Sequence, residues 1–582
     1  MKKYDLVIVG AGITGLRAAI GGVKQGLHVA IISKVHPLRS HSVTASGGLN
    51  AVLIKNNPDG EDSDTFEKHF QDTMKCGCNT SDPEALQLLV EGAPGKIKEL
   101  ERWGCLFSRE QDGSIAIRTM GAATFPRTVY SSDKTGHVVM NTLYEQCIRL
   151  RQNKPDLLRF YDEWFVHKLL VYNNVVSGVI AMEIATGRME IFSSKAVIWA
   201  TGGSGKIFGN TSNPLTNSGW GLAVPMYAGA SLRDMEYIQF HPTQLSGSHI
   251  SITEAARGEG AILLNRKGER FLKFYNDSKE RKELSACDIV SRNIKREILA
   301  GRGVNAKNVY LDLRGLGSKQ IRKKLPGVRE LCKTYANLDP IRQKIPVTPG
   351  QHYTIGGIST DKKTQTDIEG FFAAGECACS GVHGANRMGG NSLTEALVFG
   401  EIAAQTAGSY IRQKHYRLPN KVFFENAFAE EKNKIKVLLE NEKGIRPAEI
   451  RDRMNRAMDD FVGIYRDGMG LVEAAQIIKE LKNLYQTEMF VDGREARSNF
   501  GLFEAIELKG SLDIAEIIIQ CALKRKESIG VHFRNDFPKS KGRPRYSLVK
   551  VRKNKIKIKY MSIRTRSNPL IAIFSDPRSL IR

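Results

Sequence analysis

The segment YDLVIVGAGITG, residues 4–15, joins a short apolar run to a glycine-rich turn. A second apolar run, HVAII at residues 28–32, follows after a segment that we predict to be helical. Strand, G-x-G-x-x-G turn, helix and strand together form the unit that places a pyrophosphate on a helix N-terminus. Gly10 permits the tight turn, Gly12 lets backbone approach the phosphate, and Gly15 lets helix and strand lie close together. We therefore favour a dinucleotide-binding unit over a glycine-rich turn in a buried β-α pair.

The second strand ends in Ser33 and Lys34, not in the acidic residue that usually binds a ribose hydroxyl. The loop LRSHSVTASGG, residues 38–48, follows shortly after this strand, and its small polar residues and terminal glycines suit a loop that wraps a cofactor. Taken alone, His41 in this loop would be interpreted as an ordinary surface histidine.

The same loop resembles a known family motif. RSHSVTASGGL, residues 39–49, is similar to the flavin-tethering loop of succinate dehydrogenase and fumarate reductase flavoprotein subunits. In that family the histidine is bonded covalently to the 8α carbon of FAD, and position 41 matches that histidine. The resemblance extends from about residue 4 to about residue 566. It implies an FAD cofactor attached covalently through His41.

Further segments match the flavin-binding parts of the family. AVIWATGG, residues 196–203, is a predicted strand whose terminal glycines allow close approach to a cofactor. GFFAAGE, residues 370–376, and HGANRMGGNSL, residues 383–393, resemble segments that close over the isoalloxazine ring. Pattern and resemblance together predict these cofactor-binding residues: Gly10, Ala11, Gly12, Ile13, Thr14, Gly15, Ser33, Lys34, Ser40, His41, Ser42, Ser46, Gly47, Gly48, Val166, Ala200, Thr201, Gly202, Tyr353, Glu376, Arg387, Ser392 and Leu393.

The length of 582 residues exceeds what one simple core accommodates, so we expect two to four domains. The expected fold class is α/β: an FAD-binding dinucleotide fold that is split in sequence, with an inserted α+β capping domain and a C-terminal helical bundle. The predicted divisions are the FAD-binding domain at 1–240 and 351–415, the capping domain at 241–350, a helical domain at 416–530, a basic C-terminal segment at 531–566 and an unassigned tail at 567–582.

The net charge of +24 suggests anionic partners, and it is unevenly spread. Between Lys539 and Arg566 there are twelve Lys or Arg and no Asp or Glu, but nothing resembles a nucleic-acid-binding module, so we expect no nucleic-acid partner. No run of about 18 apolar residues predicts a spanning helix. The chain enters a predicted strand by Tyr4, which leaves no room for a signal peptide. We expect a peripheral protein on the cytoplasmic side of the inner or cell membrane.

The nine cysteines show no C-x-x-C motif. The two C-x-C pairs, Cys76/Cys78 and Cys377/Cys379, lack the spacing of a zinc or iron–sulfur site, so no metal site is predicted. We interpret the cysteines as reduced thiols. Any iron–sulfur cluster then belongs to another subunit. The family resemblance implies such an iron–sulfur subunit, together with one or more membrane anchor subunits.

Four residues from distant segments form the predicted substrate site. They are His241, Thr253, His352 and Arg387. Two histidines and an arginine suit a dicarboxylate, because bidentate arginine and imidazole N–H groups hold carboxylate geometry. The resemblance implies hydride exchange between succinate and flavin N5, with Glu254 and Arg257 as a proton relay.

The sequence departs from the family at two places. In ELSACD, residues 283–288, Cys287 occupies the position of the family's proton-transferring arginine. A thiol is shorter than a guanidinium and is neutral at its reference pKa of about 8.5. Arg281 and Arg292 are close in sequence and are candidate substitutes. In NSGWG, residues 217–221, Trp220 stands where the family usually has an aspartate.

Three hypotheses follow from these residues. The first is an enzyme, the flavoprotein subunit of a succinate dehydrogenase or fumarate reductase. The second is an enzyme similar to L-aspartate oxidase, a relative that normally lacks the tethering histidine, so His41 argues against it. The third is a diverged FAD-carrying subunit with weak or no turnover, which Cys287 favours. The physiological direction stays open, because quinone choice and cluster potentials belong to other subunits.

Overall fold

The computed structural model describes residues 1–53, 63–413, 419–553 and 555–563. Its strands are β1 (Lys2–Val9), β2 (Val29–Ser33), β3 (Leu49–Asn50), β4 (Ile117–Arg118), β5 (Thr128–Val129), β6 (Leu158–Asp162), β7 (Trp164–Tyr172), β8 (Val175–Glu183), β9 (Met189–Trp199), β10 (Leu232–Arg233), β11 (Ile238–Leu245), β12 (Ile262–Leu264), β13 (Val309–Asp312), β14 (Ile345–Thr354), β15 (Gly357–Ser359), β16 (Phe371–Ala373), β17 (Ala378–Cys379), β18 (Arg545–Arg552) and β19 (Lys555–Ser562). The predicted tail, 567–582, lies outside the described residues.

The α-helices are of very different length, from one turn to seven. They are α1 (Ile13–Lys24), α2 (Phe66–Cys76), α3 (Pro83–Arg102), α4 (Thr135–Asn153), α5 (Trp220–Tyr227), α6 (Ala255–Gly258), α7 (Cys287–Glu297), α8 (Ser318–Lys324), α9 (Pro326–Ala336), α10 (Asn391–Gln413), α11 (Lys421–Glu440), α12 (Pro447–Phe461), α13 (Gly468–Glu488) and α14 (Phe500–Lys524). Within the described ranges, no helix combines the length and apolar composition needed to cross a membrane.

The central sheet has the strand order β6-β2-β1-β9-β8-β7, with β16 also paired to β9. β1 is parallel to β2 and to β9, whereas β7, β8 and β9 are joined as antiparallel neighbours. Residues of β1 alternate between two layers, as a period of two requires. Leu6 and Ile8 join the core with α1 and α10, while Val7 and Val9 join the core with α12, α13 and α14.

The FAD-binding fold is split in sequence, as expected, because the chain returns to the central sheet after a long insertion. β16 pairs parallel to β9, with Phe371 opposite Val197. Helix α10 then packs on α1. The predicted α/β class with a C-terminal helical domain is thus confirmed by the architecture.

The insertion forms an antiparallel sheet in the order β11-β14-β13-β12, which has its own hydrophobic core. The long β11–β14 ladder runs from Ile238 opposite Thr354 to Leu245 opposite Val347. The predicted boundaries at 241 and 350 both fall inside this ladder, and the one at 415–416 lies outside the described residues. The ladder continues toward the FAD-binding fold and so carries both of its strands to the cavity described below.

The basic C-terminal segment forms a hairpin of β18 and β19. β18 pairs with β10 in a five-stranded sheet of order β17-β15-β10-β18-β19, so the hairpin adds to a sheet from the middle of the chain. Ser547 Oγ of β18 donates to Glu236 Oε2 over 2.7 Å, and Glu236 Oε1 accepts from the buried Arg525 guanidinium, just beyond α14, over 2.5 Å. These contacts hold the C-terminal segment firmly against the rest of the fold.

Candidate active site

A cavity of about 1130 Å³ lies between the FAD-binding fold and the inserted sheet. It is lined by the first glycine turn, the loop after β2, the segment after β9, and residues of β11, β14 and α10. Almost all predicted site residues line it. Three predicted residues lie outside its wall, namely Gly15, Arg257 and Cys287.

The glycine turn forms a cradle at the start of α1. Gly10 has φ +103°, and a Cβ there would lie 2.2 Å from the carbonyl oxygen of Ala200. A Cβ on Gly15 would lie 1.9 Å from the carbonyl oxygen of Gly10, so this glycine serves close packing behind the turn. Gly12 gives α1 no side-chain cap, and the first N–H of the helix, that of Ile13, donates to Ser42 Oγ over 3.4 Å. The positive end of the helix dipole suits an anion at this turn.

The loop at residues 38–48, which carries His41, lies next to this turn. The side-chain amide of Asn217, from a distant segment, contacts the His41 ring. Asn217 Nδ2 donates to Nδ1 of His41 over 3.1 Å. The amide orientation of Asn217 follows from a backbone carbonyl: Asn213 Nδ2 donates to His352 O, so Asn213 Oδ1 accepts from Asn217 at 2.6 Å. A neutral His41 therefore carries its proton on Nε2. Burial lowers the pKa of His41 to about 4.

Two histidines face each other in the predicted substrate part of the cavity. The ring centroids of His241 and His352 are 4.9 Å apart. His241 Nδ1 accepts from the backbone N–H of Thr243 over 3.2 Å, so its Nε2 carries the proton of the neutral ring. His352 Nδ1 is bonded to the Ser212 hydroxyl at 2.8 Å. Burial, reinforced by neighbouring cationic side chains, holds the pKa of both imidazoles well below the usual value.

Arg387 is held in place beside these rings. Its Nε donates to Gln239 Oε1 over 2.9 Å, and its guanidinium carbon lies 4.7 Å from the centroid of the Tyr353 ring. The Gln239 amide is oriented in turn, because its nitrogen donates to Asn386 Oδ1 and to the carbonyl of Arg387. A fixed guanidinium next to two neutral imidazoles suits a carboxylate ligand.

Three side chains at and behind the cavity wall form a compact cluster. Glu254 lines the cavity, and its Oε1 accepts from Gly121 N over 3.0 Å. Cys287 Sγ lies 3.7 Å from Glu254 Oε2 and 3.9 Å from Arg257 Nη2. Burial and the Glu254 charge raise the pKa of Cys287 to about 12, so the thiol is neutral near pH 7. Arg257 Nη2 also pairs with Glu254 Oε1 at 3.6 Å.

The structure places neither candidate substitute arginine in the cavity wall. Arg281 Nη1 donates to the carbonyl oxygen of Ala123. Arg292 pairs with Asp288 at 2.7 Å and donates to the carbonyl oxygen of Gly530. Within the described part of the chain, Arg257 is therefore the arginine in direct contact with Cys287.

Sequence reasoning missed several polar residues that line the site. They are Ser212, Asn213, Asn217, Ser251 and Glu507. The first three lie in GNTSNPLTNSG, residues 209–219, a segment rich in amides and hydroxyls directly after the A-T-G-G strand end. That composition was a usable signal. Glu507 belongs to α14, a largely apolar helix most of whose residues are buried, and nothing in its local sequence shows which cavity it reaches.

Comparison with known proteins places the chain among flavoproteins. Residues 5–393 match a family described as "FAD binding domain", and residues 451–571 match one described as "Fumarate reductase flavoprotein C-term". The chain is 40% identical over 551 residues to the fumarate reductase flavoprotein subunit of Mycobacterium tuberculosis, covering 92% of each. It is 36% identical over 556 residues to the succinate dehydrogenase flavoprotein subunit of Rickettsia bellii, covering 92% and 90%.

A solved structure supports the same relationship. The fold is similar to that of Escherichia coli quinol fumarate reductase, with a TM-score of 0.92 and 35% sequence identity. The match covers 97% of this chain and 98% of that chain. The similarity thus extends over the central sheet, the insertion and the C-terminal helices together.

Proposed function

Because the chain belongs to the flavoprotein subunit family of fumarate reductases and succinate dehydrogenases, FAD-dependent oxidoreductases that act on CH–CH bonds, we propose that it interconverts succinate and fumarate. One observation carries the proposal: His241, His352 and Arg387 lie in the same cavity as the glycine cradle and His41. That cavity therefore combines groups suited to two carboxylates with groups suited to a dinucleotide.

The residues of the cavity fit FAD. The uncapped start of α1 suits the pyrophosphate, and Glu376, Ser392 and Leu393 line the part of the cavity near the substrate groups. Burial raises the pKa of Glu376 to about 7, and its Oε1 accepts from the Thr354 N–H over 3.0 Å. When bound, FAD supplies a two-electron acceptor or donor at N5.

The chain's own contribution to chemistry begins with holding the dicarboxylate. Arg387 and His352 would hold one carboxylate, and His241 and Thr253 the other. His241 can donate from Nε2, because Nδ1 is engaged by the Thr243 N–H. Since both rings are neutral near pH 7, they add no positive charge to the site, and Arg387 provides the charge that balances the anion.

We assign proton exchange at the substrate carbon to the cluster of Glu254, Cys287 and Arg257. Glu254 is the member of the cluster that lines the cavity. Cys287 and Arg257 stand behind it and connect its carboxylate to the carbonyl of Glu283, which accepts from Arg257 Nη1 over 2.6 Å. We propose Glu254 as the group that hands the proton to or takes it from the substrate, with Cys287 and Arg257 as the relay.

We further propose that FAD is attached through Nε2 of His41, since Nδ1 is engaged by Asn217. The Nε2–H of His41 would be the group exchanged for the bond to the 8α carbon, and the bound flavin would itself supply the two-electron acceptor that this bond requires. In the linked ring Nδ1 keeps its lone pair, and the Asn217 amide can continue to donate to it.

Electrons exchanged at the flavin must pass to or from a partner, and we propose an iron–sulfur subunit and one or more membrane anchor subunits for this role. β19 is the edge strand of its sheet, and Lys555, Lys557 and Lys559 lie on its exposed face. Such a row of lysines protects an edge strand from aggregation. It also suits contact with an acidic partner or with anionic lipid at the cytoplasmic face of a membrane.

Succinate-dependent dye reduction by the purified protein tests the activity, with aspartate as the parallel substrate. Reduction with succinate and none with aspartate is expected. Reduction with aspartate would instead support an oxidase similar to L-aspartate oxidase. A flavin-containing protein that binds dicarboxylates without turnover would support the diverged subunit that Cys287 suggests.

A further inference from the structure

A carboxylate from the C-terminal helices reaches the cavity at the end of β2. Glu507 of α14 lines the cavity, and its Oε1 lies 2.7 Å from Nζ of Lys34. The two residues are 473 positions apart in the chain. Glu507 is 8% exposed, so its carboxylate has little access to bulk solvent. A buried acid is thus placed directly beyond the second strand of the dinucleotide unit.

Close packing holds α14 in this position. Ser511 Oγ donates to the carbonyl oxygen of Ser218 over 2.6 Å. A Cβ on Gly510 would lie 2.8 Å from Cε3 of Trp220, so this helix needs glycine to approach so closely. Trp220 is itself anchored, because its Nε1 donates to the carbonyl oxygen of Val166. The carboxylate of Glu507 is therefore presented by a rigid wall and not by a loop.

The chemistry of this corner suits a ribose. In units built on G-x-G-x-x-G, an acid at the end of the second strand accepts hydrogen bonds from ribose hydroxyls. Here that strand ends in Ser33 and Lys34. A carboxylate is an acceptor with several lone pairs, so it can serve Lys34 and hydroxyl donors together. Burial raises the pKa of Glu507, while the adjacent ammonium of Lys34 favours its ionised form.

We propose that Glu507 binds the ribose hydroxyls of the adenosine half of FAD. The acid that the dinucleotide unit lacks is then supplied by the C-terminal helical region. This inference rests on FAD being the cofactor, as proposed above. It makes α14 part of the cofactor site and couples flavin binding to the packing of the C-terminal helices.

The test uses the full chain carrying His41→Ser, so that flavin binds reversibly, titrated with FAD or FMN and followed by flavin fluorescence. FMN lacks the adenosine half. Glu507→Gln is expected to weaken FAD binding by about 10- to 100-fold and to leave FMN binding unchanged. Glu507→Asp keeps the charge but shortens the side chain, so it should weaken FAD binding less than Glu507→Gln does. If Glu507→Gln does not fold, Glu507→Asp provides the same test.

Two controls separate ribose binding from a purely structural ion pair. Glu516→Gln removes a carboxylate on the same helix that pairs with Lys482 Nζ at 2.6 Å, while Lys482 keeps its second partner Asp513, and it should leave both affinities unchanged. An FAD analogue with 2′-deoxyadenosine should bind the Glu507-containing chain more weakly than FAD, and Glu507→Leu, which has no acceptor, should bind the two alike.

Equal loss of FAD and FMN affinity in Glu507→Gln, or retained discrimination against the deoxy analogue in Glu507→Leu, would overturn the proposal. Either result would mean that Glu507 serves only Lys34 and helix packing. Failure of the Glu507-containing chain to bind FAD at all would instead contradict the proposed function, so the two failures are distinguishable.

Discussion

The Sγ atom of Cys287 lies 3.7 Å from Oε2 of Glu254, directly behind the wall of the cavity. Family resemblance expects an arginine at this position, and the structure shows a neutral thiol between a carboxylate and the guanidinium of Arg257. The thiol therefore connects the two charged groups without adding a charge of its own. The proposed dicarboxylate site therefore has one cation fewer than the family resemblance predicts.

Cys287→Arg should raise kcat for fumarate reduction by about 10²–10⁴, because it places a cationic, proton-donating group in the relay behind Glu254. The dicarboxylate KM should change comparatively little, since Arg387 and the histidines hold the substrate. Steady-state kinetics with a reduced dye measures both. Cys287→Ser is the matched control, because a hydroxyl keeps the contact with Glu254 and adds no charge. A fast parent chain that is slowed by Cys287→Arg would show that the thiol does not limit the relay behind Glu254, and Arg257→Lys would then be the next variant.

His41→Ser should release the flavin from the denatured chain. Acid-precipitated parent protein should stay yellow and give a fluorescent band on a denaturing gel, and the variant should give neither. The nitrogen substituent at 8α withdraws electron density and so raises the flavin potential. Loss of the bond should therefore impair succinate oxidation more than fumarate reduction. Colourless precipitate from flavin-replete parent protein would refute attachment.

Asn217→Leu should slow flavin attachment by about 10- to 100-fold, because the amide that orients the His41 ring is lost and misplaced reacting groups cost rates of this size. The time course of acid-stable flavin after FAD addition measures it, with total bound flavin as the reference. Thr216→Ala, from the same loop and also lining the cavity, is the control. Unchanged attachment kinetics in Asn217→Leu would remove this residue from the tether.

Acid should destabilise the fold through histidines that are buried in the neutral form. His69 is fully buried, its Nε2 is bonded to Asn391 Oδ1 at 3.0 Å, and burial together with Arg127 lowers its pKa to about 4. The unfolded chain binds this proton near pH 6.5, so the unfolded state is favoured as pH falls from about 6.5 toward 4. His69 then costs about 1.4 kcal/mol of unfolding free energy per pH unit.

The comparison with His69→Gln isolates this effect in urea unfolding at several pH values. Carboxyls with raised pKa, such as Glu376 and Asp459, contribute with the opposite sign, but they do so equally in both proteins. The stability of the His69-containing chain should fall relative to the variant below pH 6.5 and run parallel above it. Parallel curves down to pH 5 would mean that His69 is not held neutral.

Much of the architecture followed from local patterns. The run YDLVIV and the turn after it predicted the β1–α1–β2 unit, because a buried strand and a glycine turn can each be recognised from a few consecutive residues. The split return of the chain to the central sheet was expected from the segment at 370–393, and β16 pairs with β9 accordingly. The placement of predicted residues around one cavity remains to be tested by the variants above.

Local pattern and motif were sufficient for the dinucleotide unit, the fold class and the set of residue types suited to a dicarboxylate. They could not show that Asn217 reaches His41, that Glu507 reaches Lys34, or that Cys287 stands behind Glu254. These contacts join residues 33 to 473 positions apart. Periodicity and turn chemistry are short-range properties of the chain, whereas such contacts depend on sheet order and on how closely α14 and the inserted sheet approach the cavity.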